Sequence, residues 1–330
     1  MLLVGDIGGT KTDLAIYSSE SDAYSPLARK QFHSGEYASL QAIVRQFLTD
    51  VEMSVNQATF DVAGPVIDKR VVATNLPWAM DEDSLARDLK LHSVHLMNDL
   101  EAVARAIPIL RESDIVPLNT GERVPTGAIA VIAPGTGLGE SFLVWDGSRY
   151  VPQSSEGGHA NFAPTDNDQI GLLEYMLTRG GHVSVERVCS GIGIPNIYEY
   201  LRDAEHIEET SEVARKIALA QDHTRTIIDS AVHNESRLCR ATLDMFVSIL
   251  AGEAGNLALK ILATGGIYLA GGIVLPILSV LQGPAFMRAF TSKGRLSELM
   301  KRIPVHAITT NAALVGAATY ALRNFTGDRD

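Results

Sequence analysis

The chain has 330 residues, enough for about two domains of ordinary size, and its 46% hydrophobic and 20% charged residues are those of a globular protein with sizeable cores, not of a disordered chain. Lys and Arg number 28 against 39 Asp and Glu, a net charge of −11 that argues against a duplex nucleic-acid binder, which needs a basic face to displace counterions. Cys189 and Cys239 are its only cysteines, so a disulfide framework and a four-cysteine zinc site are excluded, and reduced buried thiols of a cytosolic enzyme are the expectation.

At the N-terminus, MLLVGDIGGTK puts Asp6 before any apolar signal region can form, with no basic residues ahead of it, and no secretory signal is expected. Residues 2–7 read as a buried strand, Gly8-Gly9-Thr10-Lys11 as a tight turn and residues 12–17 as the returning strand of a hairpin. A third strand is predicted over 28–33. It is followed by a helix over 37–51, with Leu40, Ile43, Val44, Phe47 and Leu48 at helical spacing. Strands recur at 58–62 and 93–97, separated by a helix that begins near Asp81 and whose acidic first turn suits the helix dipole. A helix over 101–110 comes next, which leaves Asp99 at a strand-to-helix junction.

The second half starts in the same way. Residues 128–133 form a continuous apolar strand, Pro134-Gly135-Thr136-Gly137 a glycine turn and residues 139–145 the returning strand. A polar loop, SSEGGHANFAP, a helix over 169–178 and a largely helical stretch over 213–262 suit a larger second domain. Residues 261–281 carry no charge and mimic a membrane span, but Gly265, Gly266, Gly271, Gly272 and Pro276 break the run. A strand over 266–270, a turn at Gly271-Gly272 and a core helix over 273–281 explain it better. The last helix, 311–323, has small residues on several faces and is expected to pack closely.

Glycine lets backbone N–H groups converge on a phosphate, and three turns qualify: Gly8-Gly9-Thr10-Lys11, Gly135-Thr136-Gly137 and Gly271-Gly272. Taken singly, each also reads as a purely structural turn. The sequence has no GxxxxGK[ST] and no GxGxxG opening a helix after a strand, which argues against a P-loop and a Rossmann site.

In their order, DIGGTK, APGTGLG and GGIYLAGG resemble the two phosphate turns and the adenosine turn of the sugar kinase, heat-shock protein and actin superfamily. TNLPW at 74–78, LMNDLEAVA at 96–104, SSEGGHANFAP at 154–164 and ERVCSGIGIPNIY at 186–198 narrow the resemblance to the bacterial ATP-dependent glucokinases. That resemblance implies an α/β, two-domain actin-like (ribonuclease H-like) ATPase fold with an interdomain active-site cleft. Residues 1–110 would form a small domain joined by a C-terminal helix over 311–330, and residues 111–310 a large one. The implied reaction is ATP plus D-glucose giving glucose 6-phosphate and ADP, feeding glycolysis, with Mg²⁺ carried by the ATP. A cytoplasmic homodimer without nucleic-acid or membrane partners is the family expectation.

Residue by residue, the resemblance implies that Asp99 accepts the proton of the sugar 6-hydroxyl, although on local sequence alone a helix N-cap is the favoured reading of Asp99. Asn98, Glu156, His159 and Glu186 would bind the hexose together with Asp99, with Asn75 a weaker candidate; Trp78 reads as core. Glu156, His159 and Glu186 are also a conceivable metal set, but the cysteine-rich segment of the zinc-binding relatives is absent. Asp6 would hold the Mg–nucleotide through water, Gly8, Gly9, Thr10 and Lys11 would face the phosphates from one side, and Gly135, Thr136 and Gly137 from the other. Lys11 also reads as a plain surface charge. Gly271 and Gly272 would lie against adenine or ribose. Asp13, an acid close to the first turn, has no evident role. Mannose, fructose or N-acetylglucosamine as the acceptor, and a non-catalytic sugar sensor, are the competing readings; an N-terminal DNA-binding helix-turn-helix of the sensor type is missing.

Overall fold

Two sheets carry the same core strand arrangement, one in each half of the chain. The structure, a computed structural model, describes residues 1–73 and 76–325, so the candidate Asn75 lies outside the described residues. The chain divides into two units, Met1–Arg111 with the chain from Thr310, and Glu112–Thr309.

In the first unit, β1 (Leu2–Ile7), β2 (Lys11–Tyr17), β3 (Ala28–His33), β4 (Gln57–Val62) and β7 (Ser93–Asn98) form a sheet in the order β3-β2-β1-β4-β7, while β5 (Arg70–Val72) and β6 (Ala79–Asp81) pair separately. β1 to β3 form an antiparallel meander, and β4 and β7 add in parallel on the other side of β1. The central strand is buried almost throughout, which is why it reads as a continuous apolar run. The helix Leu40–Val51 buries Leu40, Ile43, Val44 and Phe47 in the core around Phe60, and Ser39 caps it by accepting from the Ala42 amide at 3.3 Å.

The second unit repeats the pattern with β9 (Ile129–Pro134), β10 (Leu138–Trp145), β11 (Tyr150–Ser155), β12 (Gly266–Leu269) and β13 (Val305–Ile308), and adds β8 (Ile115–Pro117) at the edge, in the order β11-β10-β9-β12-β13-β8. Again the first three strands are an antiparallel meander and the next two are parallel additions. Its core is built on the helix Arg237–Ile261.

Several predicted elements are revised. The expected stretch over 213–262 is three helices, Ser211–Ala218, His223–Val232 and Arg237–Ile261, each started by a side-chain cap from Thr210, Asp222 and Ser236. The predicted helix 273–281 shrinks to Leu278–Leu281, because Pro276 lacks an N–H and disfavours helical geometry before it. The first two residues of the expected polar loop belong to β11, an edge strand whose polar side chains face out. Among the described residues, no helix is long and apolar enough to cross a membrane.

The small residues of the last helix, Ala312–Phe325, have a specific use. It packs on the helix Asp99–Ala106 and on β1 and β4. A Cβ on Gly316 would overlap the Ala102 carbonyl oxygen, so the two helices meet at backbone distance. Gly316→Val is therefore expected to cost about 2 kcal/mol or more, read as a lowered Tm in thermal unfolding. An unchanged Tm would contradict this contact.

Candidate active site

In the first unit the Gly8–Lys11 turn is shaped by its own hairpin and by Ser34. The Gly8 amide donates to the Lys11 carbonyl at 2.9 Å, the Ser34 hydroxyl donates to the Gly8 carbonyl at 2.7 Å, and the Ser34 amide donates to the Thr10 carbonyl at 3.0 Å. The carbonyls are thus occupied, while among the described residues no hydrogen bond uses the amides of Gly9 and Thr10. Unspent amides at a glycine turn are donors for an anion. Lys11 and Thr10 are exposed there.

Beside this turn lies a row of three carboxylates. Strand register sets Asp13 of β2 opposite Asp6 of β1, and Asp6 opposite Asp61 of β4. Asp13 is neutralised by Arg29, whose Nη2 lies 2.5 Å from Oδ2 and whose Nε donates at 3.0 and 3.2 Å. Asn311 donates through Nδ2 to Asp6 Oδ2 at 3.0 Å and to Asp13 Oδ2 at 3.4 Å. Asp13, without a role in the sequence reading, is therefore an anchor for Arg29 and Asn311. Asp61 is 0% exposed, and among the described residues no donor reaches either of its oxygens. Burial, then the charges of Asp6 and Asp99, raise its pKa well above the ordinary value. Its facing partner, Asp6, is another acceptor, so the two bond only when Asp61 keeps its proton. Burial also raises Asp6, against the hydrogen bonds from Asn311 and Asp61.

Asp99 begins the helix Asp99–Ala106, two residues earlier than predicted. The cap is Asn98: its Oδ1 accepts from the amides of Leu100 at 2.9 Å and Glu101 at 3.3 Å, and its Nδ2 donates to the Gly64 carbonyl at 3.0 Å. The capping reading thus moves from Asp99 to its neighbour, and the Asn98 side chain also hydrogen-bonds the Asp99 carboxylate. The helix ends early because Pro108 interrupts the amide ladder and a 3-10 turn, Ile107–Ile109, follows. Asp99 Oδ1 accepts from the Leu100 amide at 2.9 Å. Burial is the first cause, and the Asp6 charge a further one, that pushes the half-buried Asp99 carboxyl up to about 6.

In the second unit the Gly135–Gly137 turn is closed by a Gly135 amide to Gly137 carbonyl bond of 2.9 Å. The carbonyls of Gly135 and Thr136 accept from the amides of Gly191 at 2.7 Å and Ile192 at 3.3 Å. The amides of Thr136 and Gly137 make no hydrogen bond among the described residues. Gly271 has φ +89° and a Cβ there would overlap the Pro134 carbonyl oxygen, whereas Gly272 faces open space. Among the described residues no hydrogen bond uses their amides either.

The Glu156–His159 turn follows β11, closed by His159 amide to Glu156 carbonyl at 3.0 Å, with His159 Nε2 3.9 Å from Glu156 Oε2. Both side chains are exposed, 80% and 64%. The Val185 amide donates to the Ala160 carbonyl at 2.9 Å, which brings Glu186 beside this turn. Glu186 Oε2 accepts from the Leu138 amide at 2.9 Å, so it also braces the start of β10, next to the glycine turn. Cys189 is buried and its thiol is pushed far up, which removes it as a nucleophile. Among the described residues no group of three or more His, Cys, Asp or Glu is placed to hold a metal. Asp61 and Asn311 were not singled out in the sequence; a lone acid inside the apolar strand run ATFDVAG was the available signal for the first, and nothing marked the second.

The Glucokinase family model matches residues 3–324. A glucokinase of Nostoc punctiforme is 38% identical over 338 residues, covering 98% of this chain and 99% of its own. The crystal structure of a glucokinase from an Antarctic psychrotroph is 31% identical with a TM-score of 0.81, covering 97% of this chain and 98% of that one. A Balamuthia mandrillaris glucokinase solved with glucose shares the fold, with a TM-score of 0.80 at 20% identity over 98% of this chain and 93% of that one.

The two glycines of the third turn separate folding from binding. Gly271→Ala meets both a positive φ and a backbone oxygen and is expected to cost about 1–3 kcal/mol in thermal unfolding. Gly272→Ala is expected to melt like the wild type; equal melting of the two variants would contradict the placement.

Proposed function

The chain belongs to the glucokinase family, and from that premise we propose that Asp99 is the general base of its reaction. The reaction is transfer of the γ-phosphoryl group of ATP to the 6-hydroxyl of D-glucose, giving glucose 6-phosphate and ADP. The O6–phosphorus bond forms as the bond to the β,γ-bridging oxygen breaks, and the hydroxyl proton passes to Asp99. Such transfer depends mainly on positioning and on charge stabilisation. The observation that carries the assignment is the Asp99 carboxyl itself: ionised at neutral pH, but raised to about 6 and so a better proton acceptor than a surface aspartate. Its Oδ1 is tied to the Leu100 amide.

The side chains of Asn98, Glu156, His159 and Glu186 bind the sugar hydroxyls, with Asn75 a further candidate. Gly8, Gly9, Thr10 and Lys11 in the first unit, and Gly135, Thr136 and Gly137 in the second, donate to the phosphates; the four unspent turn amides support this. Gly271 and Gly272 take the nucleoside, Gly272 having the open approach.

Asp6 suits a cation carried by the nucleotide, because hard divalent ions take oxygen ligands and a bare triphosphate would be repelled by a carboxylate at the turn. Bound Mg²⁺ would neutralise phosphate charge. The same reading places the enzyme in the cytoplasm with its ATP, as a homodimer.

Asp99→Asn is expected to lower kcat by at least about 100-fold while glucose still binds. In the wild type, kcat is expected to rise with pH through about 6, since the base must be ionised and its pKa is raised to that value. Steady-state kinetics with calorimetric glucose binding check both; an active Asp99→Asn enzyme would refute the assignment.

A further inference from the structure

Glu140 is a buried acid that the mechanism above does not use. It lies on β10, paired across the sheet with Ser155 of β11 and Ile132 of β9. Only 3% of it is exposed, and no donor reaches its Oε1. It sits directly beneath the turn that carries Glu156 and His159: a Cβ on Gly157 would overlap Glu140 Oε2, and one on Gly158 would overlap the Leu138 carbonyl oxygen. The turn therefore rests on β10 at two adjacent points, one a main-chain carbonyl and the other the Glu140 carboxyl. Its own closure uses the Ser155 hydroxyl, which accepts from the Gly157 amide at 3.0 Å.

We propose that Glu140 is a positioning residue for the hexose site, its uncharged carboxyl forming the seat of the Glu156–His159 turn, so that protonation of Glu140 strengthens glucose binding and leaves nucleotide binding alone. This rests on the reading of Glu156 and His159 as hexose ligands. A buried carboxylate with an oxygen that no donor reaches is costly, whereas the neutral acid is better tolerated. The charged and titratable groups around it do not supply a compensating cation. Glu253 of the helix Arg237–Ile261 adds a like charge, and its partner Lys260, 3.3 Å from Glu253 Oε1, only partly offsets it. Asn256 Nδ2 donates to Glu253 Oε2, and Lys293 is spent on the Gly252 carbonyl and Asn256 Oδ1. Cys189 is a buried neutral thiol, and Glu156 and His159 point away into solvent.

Burial first, then the Glu253 charge, raise Glu140 from 4.5 to about 7. A seated pKa above the free value means that the seated turn holds the proton more tightly. Its advantage is complete below about pH 4.5, falls as pH rises from there to about 7, and is level above.

The test is calorimetric titration of D-glucose alone into the full chain between about pH 5.5 and 7.5, for the wild type, Glu140→Gln and Glu156→Ala. Glutamine keeps the volume and stays neutral. Relative to Glu140→Gln, the wild-type Kd is expected to rise about three- to twentyfold across this window, with the KM for ATP equal in the two enzymes. Parallel Kd curves for wild type and Glu140→Gln, with Glu156→Ala weakening glucose, would overturn the role of Glu140 alone. A Glu156→Ala enzyme that binds glucose normally would instead overturn the hexose reading beneath it. A Glu140→Gln defect in the ATP KM rather than in glucose binding would also contradict the proposal.

Discussion

Three carboxylates in one row across three neighbouring strands are the constraint around which the first unit is organised. Side by side and buried, Asp13, Asp6 and Asp61 cannot all be charged without compensation. Each is handled differently. Asp13 takes a guanidinium from the adjacent strand, Asp6 takes an amide from the other end of the sequence, and burial pushes the Asp61 carboxyl well above the ordinary range. Asn311 is consequently more than a helix start. It bonds β1 and β2 at once, and the helix after it meets the Asp99 helix at Gly316. The last residues of the chain thereby hold both the acid at the first glycine turn and the helix that presents Asp99.

The second unit solves a different problem, that of presenting amides and side chains from loops with few buried partners of their own. One short stretch of β10 does much of this work. Leu138 receives Glu186 on its amide and abuts Gly158 with its carbonyl, and Glu140 abuts Gly157. The preceding glycine turn is pinned through its carbonyls by Gly191 and Ile192. Main-chain hydrogen bonds, not long flexible side chains, therefore fix the turn whose amides the proposed function assigns to phosphate.

Much of this was legible in the sequence because it is local. The strand, glycine turn and strand units are continuous in the chain, and their apolar runs follow from burial on both faces of a central strand. Asp99 is proposed as the base only through the motifs around it, since a lone Asn-Asp at a strand end is ambiguous; the structure gives the cap to Asn98 by a side-chain geometry that residue order does not encode. The Asp13–Arg29 pair, the reach of Asn311 to Asp6 and the seating of Gly157 on Glu140 depend on register between strands or on contacts far apart in sequence. The edge strand β11 escaped notice for a related reason: its pairing is carried by backbone, and its polar side chains leave no alternation to read.

The central claim is that this chain transfers phosphate to the 6-hydroxyl of glucose. The most direct measurement follows ADP and sugar phosphate together with Mg–ATP and individual hexoses, and locates the phosphate on the product by NMR. The account predicts equal amounts of ADP and glucose 6-phosphate, with glucose preferred over mannose, fructose and N-acetylglucosamine. ADP release without sugar phosphate, or a preference for another hexose, would contradict it.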